Sequence, residues 1–305
     1  MAGGELHAVT GAFGFTGKYI ARRLLSMDGR VRALVRPGRH PNPFGDQIDV
    51  APLVFDDRSQ LAESLRGIDT LFNTYWVRFC HRGVTFETAV ENTKLLLEAA
   101  RSAGVRKIVH ISIANPSEHS PFPYFRWKSA LEQAITESGL RFAIIRPAVV
   151  FGAEDILINN IAWFLRKLPV FFVPGAGRYR IRPVFVEDVA LMAVDAAGEA
   201  QDRIIDAGGP EVFTFDDLVV LIGRTMGIPR RLIHLHPRTV LFALRPLGWA
   251  LHDVVLTTDE VGALMANLLV TTGKATGSTS FSQWLAQHAE TLGRHYASEL
   301  RRHYG

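Results

Sequence analysis

Along the first half of the chain, short apolar runs alternate with stretches whose apolar positions recur every three or four residues. The runs Leu6–Val9, Val31–Val35, Thr70–Asn73, Lys107–Ser112 and Phe142–Ile145 are rich in β-branched residues and too short for buried helices, so they predict buried strands. Between them the period lengthens to that of a helix at Gly17–Ser26, Ser59–Leu65, Thr85–Ala103 and Phe125–Ser138. A parallel pair of strands needs a crossover, and a helix supplies it, so this order predicts an α/β fold with a doubly wound parallel sheet. Such sheets bind ligands beyond the carboxyl ends of their strands. A glycine turn, Arg36, Asn73–Thr74, Ser112–Ile113 and Arg146–Pro147 all fall at those ends.

After about Val150 the rhythm changes. An amphipathic helical stretch, a glycine-proline loop and a strand-like run follow one another up to the segment "RPVFVEDVA". "RIIDAGGPEVFTFDDLVVLIGRTMG" then predicts a strand, a turn and a helix opened by Thr214, with Asp216 and Asp217 in its first turn. Residues 238–270 are helical and apolar in pattern. The expected organisation is a dinucleotide-binding core over residues 1–150. A smaller, mostly helical substrate lobe over 151–305 is interleaved with the last sheet strands. "TVLFALRPLGWALHDVVL" carries Trp249 and few charges. It reads as packed core of the small lobe ahead of an interfacial helix, which makes peripheral membrane association the lesser expectation.

Composition narrows the class. With 48% apolar and 21% charged residues among 305, the chain has the make-up of a soluble globular protein. Its one cysteine, Cys80, excludes an internal disulfide framework and a cysteine zinc cluster. His81, His110 and His119 have no metal-ligand spacing, so no metal is expected. No secretory signal opens the chain and no run nears the ~20 apolar residues of a membrane span, so a cytoplasmic location is expected. The net charge of +4 comes from scattered basic residues, which argues against nucleic acid and fits a partner bearing phosphates.

The chemistry begins at "VTGAFGFTGKYIARRLL", with Gly11, Gly14 and Gly17 three residues apart between a strand and a helix. The first glycine suits the tight turn, the second lets a ligand reach the backbone, and the third lets helix and strand pack closely. The helix N-terminus then offers N–H groups and partial positive charge to a pyrophosphate, with Phe13, Phe15 and Thr16 lining the turn. Arg36 stands where an NAD site would carry an acid for the ribose hydroxyls. A guanidinium suits a 2′-phosphate, so NADPH is expected to be preferred over NADH. Asp56 is the candidate for the adenine amino group, and Asp57 for capping the next helix. In "NTYWVRF", Asn73, Thr74 and Tyr75 are expected against the cofactor, and Tyr75, Trp76 and Phe79 along the substrate space. For Trp76, ordinary core packing remains open.

Taken in order, "TGAFGFTG", "VENTKLLLEAARSAGVRKIVHISI", "YFRWK", "RPAVVFG" and "RPVFVEDVA" resemble the short-chain dehydrogenase/reductase superfamily in its extended or atypical branch. "PVFVEDVA" and the tail "LGRHYASELRRHYG" resemble bacterial relatives of the Rossmann-fold accessory subunit of respiratory complex I, with NmrA-like proteins nearby. The resemblance implies a Rossmann-type fold and a general acid/base pair, Tyr124 and Lys128, with the lysine also holding the nicotinamide ribose. It implies that Pro147 and Val149 pass the nicotinamide amide, and that Asn92 organises a water beneath the lysine. Ser112 lies where the family polarises the substrate oxygen, yet the usual second hydroxyl position is Ile113, so Asn115 or Ser117 are further candidates. Two readings follow. One is an NADP-dependent oxidoreductase or epimerase for a small carbonyl or hydroxyl compound; the other is a catalytically weak or inactive NADP(H)-binding sensor or scaffold. Either is expected as a monomer or homodimer.

Overall fold

The computed structural model describes residues 4–38, 41–81 and 83–304. The chain begins β1 (Leu6–Thr10), α1 (Phe15–Leu25), β2 (Arg30–Val35), β3 (Asp49–Pro52), α2 (Arg58–Ser64), β4 (Thr70–Asn73), α3 (Phe86–Ser102), β5 (Lys107–Ile111), α4 (Pro123–Thr136) and β6 (Arg141–Pro147). It continues through β7 (Val149–Phe151), α5 (Leu157–Lys167), β8 (Val170–Pro174), β9 (Arg180–Ile181), β10 (Pro183–Phe185), α6 (Val186–Gly198) and β11 (Arg203–Ala207). The remainder is β12 (Phe213–Thr214), α7 (Phe215–Thr225), β13 (Arg231–Leu235), α8 (Pro237–Leu251), α9 (Thr258–Met265), α10 (Phe281–His288) and α11 (Glu299–Tyr304).

These elements form two units, Met1–Pro147 with Val186–Asp206, and Ala148–Phe185 with Ala207–Gly305. The first is a Rossmann-type α/β unit. Its seven-stranded sheet runs β11-β6-β5-β4-β1-β2-β3, and β1 pairs in parallel with both β2 and β4. From β1 the chain therefore adds strands first to one side and then, from β4 on, to the other. The strand order reverses between β1 and β4, and it is at such a switch point that open α/β sheets bind nucleotides. Ala8, Leu34, Leu71, Ile108 and Ile144 from the strands pack with Leu96 of α3 and Leu131 of α4.

The strands and helices predicted from periodicity are present, and both predicted caps form: Asp57 accepts from the Gln60 N–H at 2.9 Å, and Thr214 from the Asp217 N–H at 3.1 Å. The sequence pattern missed β3. This strand lies at the open edge beyond β2, with Asp49 and Val50 exposed, so it never shows the apolar run of a buried strand. The other edge closes late in the chain. There β11 lies beside β6, and α6 packs on α1, β5 and β6. The buried Lys107 ammonium donates to the carbonyls of Ala196 and Glu199 at 2.6 and 2.7 Å.

In the second unit, Phe151, Ile158, Leu165, Leu218, Phe281 and Trp284 form the centre of a separate core. Beside its helices stand three two-stranded pairs, β10–β7, β12–β9 and β13–β8. One expectation is corrected here. The apolar segment around α8 is not packed core: Val240 is the one buried residue of that helix. Composition counts apolar residues but does not say whether anything covers them. Among the described residues no helix is long and apolar enough to cross a membrane, and no cluster of three or more His, Cys, Asp or Glu side chains is placed to hold a metal ion.

Candidate active site

At the end of β1 the chain turns at Gly11, whose φ of 64° is left-handed and favours glycine. The Gly14 N–H donates to the Gly11 carbonyl at 2.9 Å, closing the turn. Gly14 is the N-cap of α1, where it offers no side chain to the first-turn N–H groups, and that turn holds no acid. The helix start therefore keeps its positive end for an external anion. A Cβ on Gly17 would overlap the Gly11 carbonyl oxygen, and one on Gly11 would stand 2.6 Å from Thr74 Oγ1. On Gly14 it would stand 3.2 Å from the Gly11 oxygen, tight but not overlapping. The turn is thus a cradle kept open by missing side chains, and its donor set fits a dinucleotide pyrophosphate.

A buried polar network fastens this turn to the neighbouring strands. Thr10 Oγ1 donates to Asn73 Oδ1 at 2.9 Å and accepts from the backbone N–H of Thr74 (2.8 Å) and Tyr75 (3.1 Å). Thr74 Oγ1 donates back to the Thr10 carbonyl at 2.6 Å. The Asn73 oxygen also accepts from the Tyr75 N–H at 3.1 Å, and its amide nitrogen faces His110 Nδ1 at 3.2 Å. The same ring nitrogen lies 3.2 Å from the Asn73 carbonyl oxygen, so it meets the amide donor in one tautomer and the carbonyl acceptor in the other. Burial, and next the charge of Lys128, hold His110 far below the usual histidine range and keep it neutral. Sequence reasoning found Asn73, Thr74 and Tyr75 but missed Thr10 and His110. The available signal was a polar residue inside an otherwise apolar run.

Tyr124 and Lys128 stand one turn apart on α4. Pro123 occupies the first turn of this helix, which its fixed φ suits, and Tyr124 follows it in the same turn. The half-buried Tyr124 ring meets Trp76 edge-on at 6.0 Å and Phe86 at 5.9 Å. Lys128 is only 2% exposed. Its Nζ donates to the Ile111 carbonyl at 3.1 Å and stands 4.5 Å above the Trp76 ring. Burial lowers its pKa to about 7, opposed by the negative charge of Glu132 one turn on; Arg146 Nε holds both Glu132 oxygens at 3.0 and 3.1 Å. Trp76 therefore belongs with the tyrosine and the lysine. Its Nε1, His110 Nε2 and Ser112 Oγ are buried without a hydrogen-bond partner in the protein. Each such orphan is destabilising by about 1–3 kcal/mol unless a ligand or water meets it.

The lysine gives a pH dependence with a definite sign. Between about 7 and the ordinary lysine value of 10.5, the unfolded chain holds this proton and the folded chain does not. Stability of the nucleotide-free protein is thus expected to rise with pH across that window, by up to about 1.4 kcal/mol per unit. Urea midpoints at about pH 7 and about pH 9 should increase more for the parent than for Lys128→Met; parallel pH profiles would refute the assignment.

The remaining predicted residues separate by position. Asn92 donates to the Tyr75 hydroxyl at 2.9 Å, and burial raises the Tyr75 pKa. Arg36 is exposed just past β2, with its charge felt at Tyr75; Arg39 of the same basic loop lies outside the described residues. Asp56 is exposed beyond β3, Phe13 is half-buried in the turn, and Thr16 is half-buried in the first turn of α1. Phe15 meets Tyr19 edge-on at 5.9 Å. The Pro147 carbonyl accepts from the Ala114 N–H at 2.9 Å, while Val149 is buried in the second unit. Ile113 is half-buried beside Ser112. Asn115 has a left-handed φ of 54°, and Ser117 Oγ accepts from the His119 N–H within its own turn at 3.2 Å.

Residues 11–155 match the family model described as NAD(P)H-binding. The chain is 30% identical over 232 residues to the mitochondrial NADH dehydrogenase (ubiquinone) 1 alpha subcomplex subunit 9 of Arabidopsis thaliana, covering 72% of this chain and 57% of that one. It is 31% identical over 258 residues to sterol demethylase protein B of Methylococcus capsulatus, covering 75% and 77%. To the (4-alkanoyl-5-oxo-2,5-dihydrofuran-3-yl)methyl phosphate reductase of Streptomyces griseus it is 28% identical over 298 residues, covering 93% and 98%. The chain belongs to the NAD(P)H-binding family that these relatives represent. Its match to the Arabidopsis subunit spans little more than half of that protein's length.

Proposed function

We propose that this chain is an NADP(H)-dependent oxidoreductase or epimerase acting on a small carbonyl or hydroxyl compound. The observation that carries the reading is the pairing on α4 of a tyrosine at the helix N-terminus with a buried lysine one turn on, joined through Trp76. The full-length match to a reductase supports it. When bound, the nicotinamide supplies or accepts the hydride. In the reducing direction Tyr124 Oη gives its proton to the substrate oxygen, and in the oxidising direction it takes that proton back. Lys128 stabilises the phenolate that remains. Ser112 Oγ, which has no protein partner, is the hydroxyl assigned to orient the substrate oxygen. The glycine turn holds the pyrophosphate, Arg36 the 2′-phosphate and Asp56 the adenine amino group.

The second reading, a module that holds NADP(H) without turnover, draws on Ile113, which donates no hydrogen bond where the family's hydroxyl stands, and on the complex I subunit relative. Following NADPH absorbance against a panel of small aldehydes, ketones and quinones tests the first. Oxidation dependent on the added carbonyl supports it, and none with any member overturns it in favour of the second. Cofactor choice is checked separately. Arg36→Asp is expected to weaken NADPH by about tenfold or more, since it removes a charge-assisted contact and adds repulsion, and to leave NADH nearly unchanged. Equal affinity of the parent for both nucleotides in a fluorescence titration would sink the claim.

A further inference from the structure

The two most exposed large apolar side chains among the described residues lie on one helix. Trp249 is 84% and Phe242 70% exposed, whereas the others reach 38–47%. Both belong to α8, which spans fifteen residues and buries only Val240. Arg238, Phe242, Arg245 and Trp249 follow at spacings of four, three and four, so arginines and aromatics alternate along a single face. Exposed Ala243, Pro246 and Ala250 flank the aromatics on one side. The helix carries no acidic residue. The first acid after it, Asp253, is turned inward: its Oδ2 accepts from the Tyr296 hydroxyl at 2.8 Å and the Glu299 N–H at 3.0 Å.

We propose that α8 is a docking face for the surface of a bilayer containing anionic phospholipid. Indole and phenyl rings standing off a helix fit the headgroup–acyl boundary, where the apolar ring body leaves water and the indole N–H still finds an acceptor. Arginines in the same stripe meet the phosphates, and no carboxylate on the helix itself opposes that attraction. A second copy of the chain fits this face less well. In a two-fold contact the same stripe faces itself, so both arginines of each copy are buried in it, whatever the register, with no carboxylate on either helix to pair them. Nothing spans the membrane in this arrangement; the helix lies on it.

Co-sedimentation of the full chain tests the proposal, using vesicles of phosphatidylcholine and phosphatidylglycerol in equal parts and vesicles of phosphatidylcholine alone. Binding is expected to the mixed vesicles and to weaken as salt is raised. The double variant Arg238→Gln with Arg245→Gln is expected to lower partition by about 25-fold, at about fivefold for each arginine. Phe242→Ser with Trp249→Ser is expected to lower it by about tenfold or more. All four side chains are exposed, so melting temperatures should match the parent and mark any loss as local. The proposal is overturned by absence of binding, by equal binding to both vesicle types, or by binding that survives both double variants. It is also overturned by a concentration-dependent dimer that Phe242→Ser with Trp249→Ser dissolves while no vesicle binding is seen, which would assign the face to a second copy.

Discussion

Tyr124→Phe is expected to lower turnover by about two to four orders of magnitude, the range general acid catalysis contributes, while nucleotide affinity stays within about twofold. The substitution leaves the ring in place, so its edge-on contacts with Trp76 and Phe86 persist and the local fold is unchanged. What is lost is one dissociable proton, which matters to the reaction and little to binding. Lys128→Met is expected to behave differently, damaging affinity and turnover together, because the family resemblance also gives the lysine the nicotinamide ribose to hold. Steady-state kinetics with the best carbonyl from the panel, beside a nucleotide titration, separates the two patterns. Turnover undiminished in Tyr124→Phe would refute the mechanism.

Gly17→Ala and Gly14→Val are expected to fail in opposite ways, although both replace a glycine of the same turn. At Gly17 the added Cβ overlaps the Gly11 carbonyl, a backbone atom that cannot swing aside, so α1 must move off the turn. Overpacking worth about 3 kcal/mol, at 2–4 °C per kcal/mol, lowers the melting temperature of the nucleotide-free protein by roughly 6–12 °C. Gly14 has φ −83° and ψ −174°, extended backbone that valine adopts readily, and its Cβ would find the Gly11 oxygen at 3.2 Å. Its folding is expected to change by no more than about 1 kcal/mol. The valine methyls instead stand over the cradle, removing the ligand-induced stabilisation of about 2.7 kcal/mol that a hundredfold excess over Kd gives the parent. Thermal scans with and without NADPH decide it. Full nucleotide stabilisation in Gly14→Val would show that the turn serves packing alone.

What the sequence disclosed, and what it withheld, divides along a physical line. Strands and helices of the first unit are written in local periodicity, so β1, β2, β4, β5 and β6 and their helices were legible. The glycine turn was legible because its backbone geometry demands residues that stand out by type. Contacts across the sheet were not. Thr10 meets Asn73 over 63 positions of sequence, and Asn73 meets His110 over 37; such meetings depend on strand order and register, which local pattern does not encode. Asn92 shows the same limit, since its position on α3 was foreseen but its Tyr75 partner was not. The exposure of α8 was hidden for a related reason. An apolar helix reads alike whether a neighbour covers it or not.

The late arrival of β11 and α6 has a consequence for synthesis. Six of the seven strands are complete once Pro147 has been added, but the partner of β6 follows only after the whole of Ala148–Phe185 and α6 have been made. At ribosomal speeds of about 5–20 residues per second, that is an interval of several seconds. Throughout it the nascent sheet has an open edge at β6, and the Lys107 ammonium lacks the two α6-side carbonyls that hold it in the finished fold. The glycine turn after β1 and the strand β4 beside it are already encoded by then, so the half of the unit proposed to hold the nucleotide emerges well before the half that closes the sheet.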